Sequence, residues 1–221
     1  SFISITYFNF ICFIICMKQE KVWNQIADQW NDFRQQKFKP VYDFLERFVK
    51  NKGKILEIGC GNCRNLIPFA KLGLECHGVD FSKNMLLNAN NLMKKNNVEV
   101  NLKKADMKKL PYKDNYFDYV LHIASLHHLS DEENVLMALK ETYRVLKKDG
   151  LILLTVWNKL QLKFLLKPRE LYIPWKKKGK EYQRFFHLFD YFEMKKLLKK
   201  TRFRVVESNV FGKNLVFVLK K

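Results

Sequence analysis

The chain has 221 residues, 48% hydrophobic and 14% aromatic, with 8 Gly and 5 Pro, which excludes global disorder, collagen-like repeats and low-complexity polymers and suits one globular domain. The formal net charge is +19, and residues 159–221 alone carry 18 basic against 5 acidic side chains. That surface draws polyanions, nucleic acid first among them, although a Lys-rich composition with solvated lysines throughout gives the same count.

Residues 1–17 are an uncharged, almost wholly apolar leader closed by Met17. The leader lacks a basic n-region and a small-residue cleavage site, and falls short of the ~20 residues of a membrane span. The expectation is that Met17 opens the native chain and that 1–17 is not native structure; a short membrane anchor is the alternative. Five cysteines, an odd number in a long chain, give no disulfide framework and suggest a reducing, cytoplasmic setting.

Two helices are expected over 18–50. Val22, Ile26, Trp30 and Phe33 fall at spacings of three and four, and Val41, Phe44, Leu45 and Phe48 repeat the pattern behind Pro40. Strands and helices then alternate. Strands are expected at 54–58, 74–79, 98–103, 117–124 and 151–157. Between them helices are expected over 62–72, from Ser82 to about Asn96, and from Ser130 to Gly150. Five alternations mean a parallel, doubly wound α/β sheet. Residues 158–187 break the rhythm. They are basic and aromatic and read as an irregular functional loop or lid. A helix over 190–200 and strands at 203–208 and 214–220 follow, the last two close enough to pair as an antiparallel hairpin.

Glu57-Ile58-Gly59-Cys60-Gly61 follows the first strand and opens a helix. Glycines there let the backbone turn sharply and let a ligand approach the free N–H groups of a helix start. Asp80 ends the next strand nineteen positions after Gly61, where ribose hydroxyls find a carboxylate. The third glycine of the dinucleotide fingerprint is absent, and Glu57 repels phosphate. A ligand with no phosphate and a cationic amino-acid end fits better, and S-adenosylmethionine has both properties. Asp106 is placed to accept from an adenine amino group and Met107 to pack on the ring; a solvated loop aspartate is the plain alternative. Phe81 and Ile123, at the ends of the second and fourth strands, join this cofactor set.

Cys60-x-x-Cys63 reads as small side chains under a glycine loop rather than as a metal or redox pair, because no second cysteine pair exists. No metal site is expected. Asp118 lies at the opposite end of the sheet and reads as structural. His127 and His128 close the fourth strand beside the expected methyl donor, to bind substrate, relay a proton or simply fill the core.

EIGCGNCRN, VDFSKNM, ADMKKLPYKDNYFDYVLHIASLHHL and RVLKKDGLILLTVWN resemble the class I S-adenosylmethionine-dependent methyltransferases over about 50–158. The resemblance implies the Rossmann-like seven-stranded sheet, mostly parallel with a C-terminal antiparallel hairpin, in one domain over 18–221. Within that class, VWNQIADQWNDFR, the double His of IASLHHLS, and IPW followed by YQRFFHLF are similar to the tRNA wobble-uridine (5-carboxymethyluridine) carboxymethyl methyltransferases. That family implies an acceptor carboxylate held by Arg34 and Arg184, with His127, His128 and His187 as polar neighbours. It also implies the tRNA anticodon arm gripped by the basic segment, with Tyr172, Trp175, Phe185 or Phe186 stacking on an extruded base, and a small zinc-binding activator protein, for which edge strand 98–103 offers a pairing site. A small-molecule (quinone-precursor-like) methyltransferase and a non-catalytic cofactor- or RNA-binding scaffold are the competing functions.

Overall fold

The computed structural model describes residues 19–221, so the apolar leader 1–17 lies outside the described residues. Residues 19–33 form α1 and Lys39–Phe48 form α2, with Pro40 in the first turn of α2. β1 (Lys54–Ile58), α3 (Ile67–Lys71), β2 (Glu75–Asp80), α4 (Lys83–Lys95) and β3 (Asn101–Lys104) follow. Next come β4 (Phe117–Ile123), α5 (Glu132–Val145) and β5 (Leu146–Trp157). A hairpin of β6 (Glu170–Lys177) and β7 (Lys180–His187) leads into α6 (Tyr191–Lys200), β8 (Arg204–Asn209) and β9 (Asn214–Lys220). Short polar side chains start the helices: Ser82, Asp131 and Asp190 each accept the backbone N–H three residues on.

Seven strands make one sheet in the order β3-β2-β1-β4-β5-β9-β8. β1 to β5 pair in parallel, and β9 runs antiparallel to both β5 and β8. This is the expected α/β architecture. The central strands are buried on both faces, as a parallel sheet under two helix layers must be. One face packs on α5 and α6 through Leu139, Val145, Met194 and Leu197. The other packs on α2, α3 and α4 through Val41, Phe44, Phe69, Ala89 and Met93. Strand order reverses between β1 and β4, so a crevice opens at their carboxyl ends.

Several local expectations shift. The segment 158–187 is not irregular: its second half is the β6–β7 hairpin, a separate two-stranded sheet. Lys178 and Gly179 turn it, both with positive φ (48° and 72°), the conformation of a tight two-residue hairpin turn. Pro174 obscured β6 in the sequence, yet a proline is tolerated in a ribbon with no further strand beside it. β3 is shorter than the expected 98–103 and leaves Val98 and Val100 outside the strand. The helix expected over 62–72 starts late, because Cys63 sits in the left-handed region at φ 58°, and it opens as a 3₁₀ turn at Arg64–Leu66 before α3. α5 stops at Val145 rather than Gly150, and β5 starts early with a register shift against β4. Phe33, assigned to the buried stripe of α1, is 65% exposed.

α1 lies across the carboxyl end of the sheet and is held from two sides. Asn24 accepts from Ser82 Oγ (2.9 Å) and from the Asn84 backbone (3.1 Å) at the start of α4. From the hairpin, Gln183 O accepts from Gln19 Nε2 at 3.2 Å. Gln19 Oε1 in turn accepts from Phe185 N at 3.0 Å, and Gln29 Oε1 from Trp175 Nε1 at 2.7 Å. Lys177 pairs with Asp28. The hairpin is therefore a clasp over α1.

Candidate active site

A cavity of about 300 Å³ lies at the carboxyl ends of β1, β2, β4 and β5, under α1. Its first half is built by the turn after β1. Gly59 (φ 69°) and Gly61 (φ 53°) bend the chain back, and the N–H groups of Gly59 and Cys60 both reach Val79 O on β2. A Cβ on Gly59 would stand 2.6 Å from Ser125 Cβ, and one on Gly61 2.9 Å from the Trp30 ring. Both clash, so only glycine lets the loop pass this close to its neighbours.

Glu57 is buried at the cavity floor. Asn65 Nδ2 donates to its Oε1 at 2.7 Å, while Oε2 has no partner among the described residues. Burial pushes the Glu57 carboxyl up to about 8. A buried carboxylate oxygen left open is matched by a cation, and a ligand ammonium supplies one. Asp80, also buried, accepts from Gly61 N and Ser82 N at 2.9 Å each, which fixes its carboxylate at the end of β2. Burial raises it to about 6. Asp106 is exposed at the rim and accepts from Lys108 N (2.9 Å), so its carboxylate is oriented by its own turn. Phe81, Met107 and Ile123 add apolar lining. All eight expected cofactor residues, Glu57, Gly59, Gly61, Asp80, Phe81, Asp106, Met107 and Ile123, thus border one cavity. An orphaned carboxylate at one end, a carboxylate at a strand terminus and a glycine cradle fit S-adenosylmethionine: Glu57 for the ammonium, Asp80 for the ribose.

The second half is aromatic and cationic. Ala124 takes φ 53° after β4, a conformation costly for a side chain with a Cβ, and its N–H donates to Thr155 O at 3.0 Å. That kink sends Ser125–His128 across the cavity. His127 stacks on Phe186, and His128 meets Trp23 and Phe186 edge-on. Burial carries the His128 imidazole down to about 4 and holds His127 well below its ordinary range, so both are neutral at pH 7. His122 is structural: Ser125 Oγ and Thr142 Oγ1 occupy its two nitrogens at 2.9 Å each.

Arg184, on β7, is 7% exposed and forms no ion pair with any described carboxylate. Its guanidinium lies 4.7 Å from the Trp175 ring centre, 5.4 Å from Phe186 and 5.9 Å from Trp23, and its Nε has no partner among the described residues. Burial lowers it to about 10, so it stays charged. Arg34 is exposed at the mouth, over Trp30 at 5.9 Å.

His187 does not join this group. Its Nε2 bonds Glu193 on α6 at 2.7 Å and its Nδ1 lies 3.6 Å from Glu170, and it does not border the cavity. Strand alternation explains this: Arg184 and Phe186 face the cavity, so Phe185 and His187 face away. Of the aromatics expected to stack on a base, Phe186 lines the cavity and Trp175 backs Arg184. Tyr172 lies half-exposed against Phe185 on the other side of the hairpin. Sequence reasoning did not assign Trp23 or Trp157 to the site. Trp157 ends β5 at its carboxyl end, a position that could have flagged it; Trp23 has no such signal, because only the packing of α1 brings it in.

Cys60 and Cys63 are buried free thiols beneath the loop, pushed up by burial. Among the described residues no group of three or more metal-ligating side chains gathers. Asp118 accepts from Lys54 N and pairs with Lys147, each at 2.8 Å, at the far end of the sheet. No helix among the described residues is long and apolar enough to cross a membrane.

Comparison with known proteins agrees with this geometry. Residues 56–154 match the family model described as a methyltransferase domain. The chain is 34% identical over 139 residues to an Arabidopsis thaliana tRNA (carboxymethyluridine(34)-5-O)-methyltransferase, covering 62% of this chain and 32% of that protein. It thus spans about a third of the plant protein's length. The Schizosaccharomyces pombe protein of the same description is 29% identical over 210 residues, covering 81% of this chain and 85% of its own. Among solved structures, the Burkholderia thailandensis 1,6-didemethyltoxoflavin-N1-methyltransferase with bound S-adenosylhomocysteine superposes with a TM-score of 0.73 at 17% identity, covering 95% and 90% of the two chains. Residues 56–154 thus match a methyltransferase domain, and the glycine turn, the open buried carboxylate and the strand order around them fit S-adenosylmethionine on the fold that such methyltransferases share.

Proposed function

We propose that this methyltransferase esterifies the carboxylate of 5-carboxymethyluridine at the wobble position of tRNA. The observation that carries the reading is Arg184: a buried guanidinium among aromatic rings, bordering the cofactor's cavity, with no described carboxylate to neutralise it. A buried charge without a partner is costly, so the site is organised for an anionic acceptor. The two tRNA methyltransferases to which the chain is similar support the choice of nucleoside.

When bound, the cofactor supplies an electrophilic methyl on a sulfonium. Glu57 holds its ammonium, and Asp80 its ribose. Arg184, with Arg34 at the mouth, holds the acceptor carboxylate by charge-assisted hydrogen bonds. That carboxylate is already ionised at neutral pH, so no side chain need remove a proton, and the neutral histidines are consistent with this. What remains for the protein is alignment and exclusion of water, which α1 and its clasp provide. Lys176, Lys178 and Lys180 at the hairpin tip are exposed and suited to anticodon-arm phosphates. The reading includes a small zinc-binding activator, for which the outer strand β3 presents one unpaired edge.

The test is Arg184→Gln. Its KM for a 5-carboxymethyluridine stem-loop should rise at least tenfold, of the order of one lost charge-assisted bond, with cofactor affinity unchanged. An unchanged KM would remove Arg184 from the acceptor site.

A further inference from the structure

His127 and His128, which both border the cavity, are held in opposite tautomers. Trp157 N lies 3.3 Å from His127 Nδ1. A backbone amide only donates, so this Nδ1 holds the lone pair and Nε2 carries the hydrogen. His128 is the reverse. Its Nδ1 lies 2.9 Å from the carbonyl oxygen of Phe185. A carbonyl only accepts, so Nδ1 carries the hydrogen and Nε2 holds the lone pair. Backbone groups of two different strands, β5 and β7, thus fix opposite tautomers on adjacent residues.

The two rings are 4.5 Å apart and inclined at 76°. Both border the cavity, and neither Nε2 has a hydrogen-bond partner among the described residues. The pair therefore offers one donor and one acceptor. A carboxylate is the wrong match, since it would set an oxygen lone pair against the lone pair of His128. A –CO–NH– edge is the right match, offering one acceptor beside one donor.

We propose that His127 and His128 read the imide edge of the acceptor uracil, His127 Nε2–H donating to the C4 carbonyl and His128 Nε2 accepting the ring N3–H. The inference rests on the wobble-uridine reading and adds its base-selecting device. It divides the acceptor half by chemistry: Arg184 takes the charge, and the histidine pair takes the neutral ring. Cytosine reverses the order, with an amino donor where uracil has its C4 carbonyl and a lone pair at N3. In the same pose it sets donor against donor and lone pair against lone pair.

The experiment compares kcat/KM on anticodon stem-loops carrying 5-carboxymethyluridine or its N3-methyl derivative. The native enzyme should lose at least about tenfold on the N3-methyl substrate. His128→Asn keeps a donor for the Phe185 carbonyl but removes the Nε2 acceptor. It should lose about tenfold on the parent and treat the two substrates alike. His128→Gln, with an oxygen near the Nε2 position, should restore discrimination. Calorimetric affinity for S-adenosylmethionine reports whether each variant keeps its cavity. If a variant fails that check, the native enzyme is tested on a 5-carboxymethylcytidine stem-loop, which it should reject. Equal turnover of the uridine substrate and either analogue by the native enzyme, or undiminished discrimination by His128→Asn, overturns the inference alone. No transfer to any stem-loop by cofactor-loaded native enzyme, with or without the zinc-binding activator, overturns the acceptor reading and this inference with it.

Discussion

Glu57 shows how one side chain ties sequence, burial and cofactor together. It is a buried carboxyl with one oxygen unpartnered among the described residues, raised to about 8 from an ordinary 4.5. The folded, ligand-free protein therefore holds a proton there that the unfolded chain releases, and from about pH 4.5 to about pH 8 this residue's contribution to stability falls as pH rises. An ammonium placed against it favours the ionised form. At neutral pH, cofactor binding should then release a proton, and affinity should rise with pH toward 8. Titration calorimetry in two buffers of different ionisation enthalpy checks this, and Glu57→Gln should abolish the release. Identical apparent enthalpies in both buffers would contradict the assignment. Glu57, Gly59, Gly61 and Asp80 were legible in the sequence because one strand, one turn and the next strand end hold them at fixed spacing. His187 was misplaced because adjacency in sequence to Arg184 hides the alternation of a strand. Trp23 was invisible for a different reason: helical spacing marks Trp30 as inward-facing, but only the docking of α1 aims Trp23 at His128.

Among the elements, the β6–β7 hairpin carries the most consequence. It supplies Arg184 and Phe186, and it clasps α1 through Gln19, Gln29 and Asp28. The alternating sheet order was legible because parallel strands in α/β folds are apolar runs set between amphipathic helices. The hairpin was not, because its turn is Lys178-Gly179 rather than Asn-Gly and a proline interrupts β6. Gly179 has open space around its Cα but a φ of 72°, so a Cβ there strains the backbone without clashing. Gly179→Ala should cost about 1 kcal/mol of hairpin stability. The clasp should loosen, raising the KM for the tRNA acceptor while cofactor affinity, set by the β1 and β2 ends, stays constant. A weakened cofactor site with an unchanged acceptor KM would show that the hairpin does not serve the acceptor half.

At the scale of the whole molecule the charge asymmetry matters most. Residues 159–221 hold 18 basic and 5 acidic side chains, and this segment contains the hairpin at the cavity. Lys177 is committed to α1, whereas Lys176, Lys178 and Lys180 at the tip are exposed. Neutralising those three should weaken tRNA binding and make its logarithmic salt dependence shallower by about 2, since each phosphate contact contributes about 0.7–0.9 to the slope. An unchanged slope would leave the lysines as solvated surface. The composition showed the asymmetry but not its location, because charge counts say nothing of which strands turn back over the site. The most direct measurement is transfer of labelled methyl from S-adenosylmethionine to bulk tRNA, with mass spectrometry of the digested nucleosides and a parallel assay including a zinc-binding activator. Label should appear in the methyl ester of 5-carboxymethyluridine and nowhere else in the tRNA. Label absent from tRNA in both assays but present in a small organic acceptor from cell extract would contradict the wobble-uridine assignment.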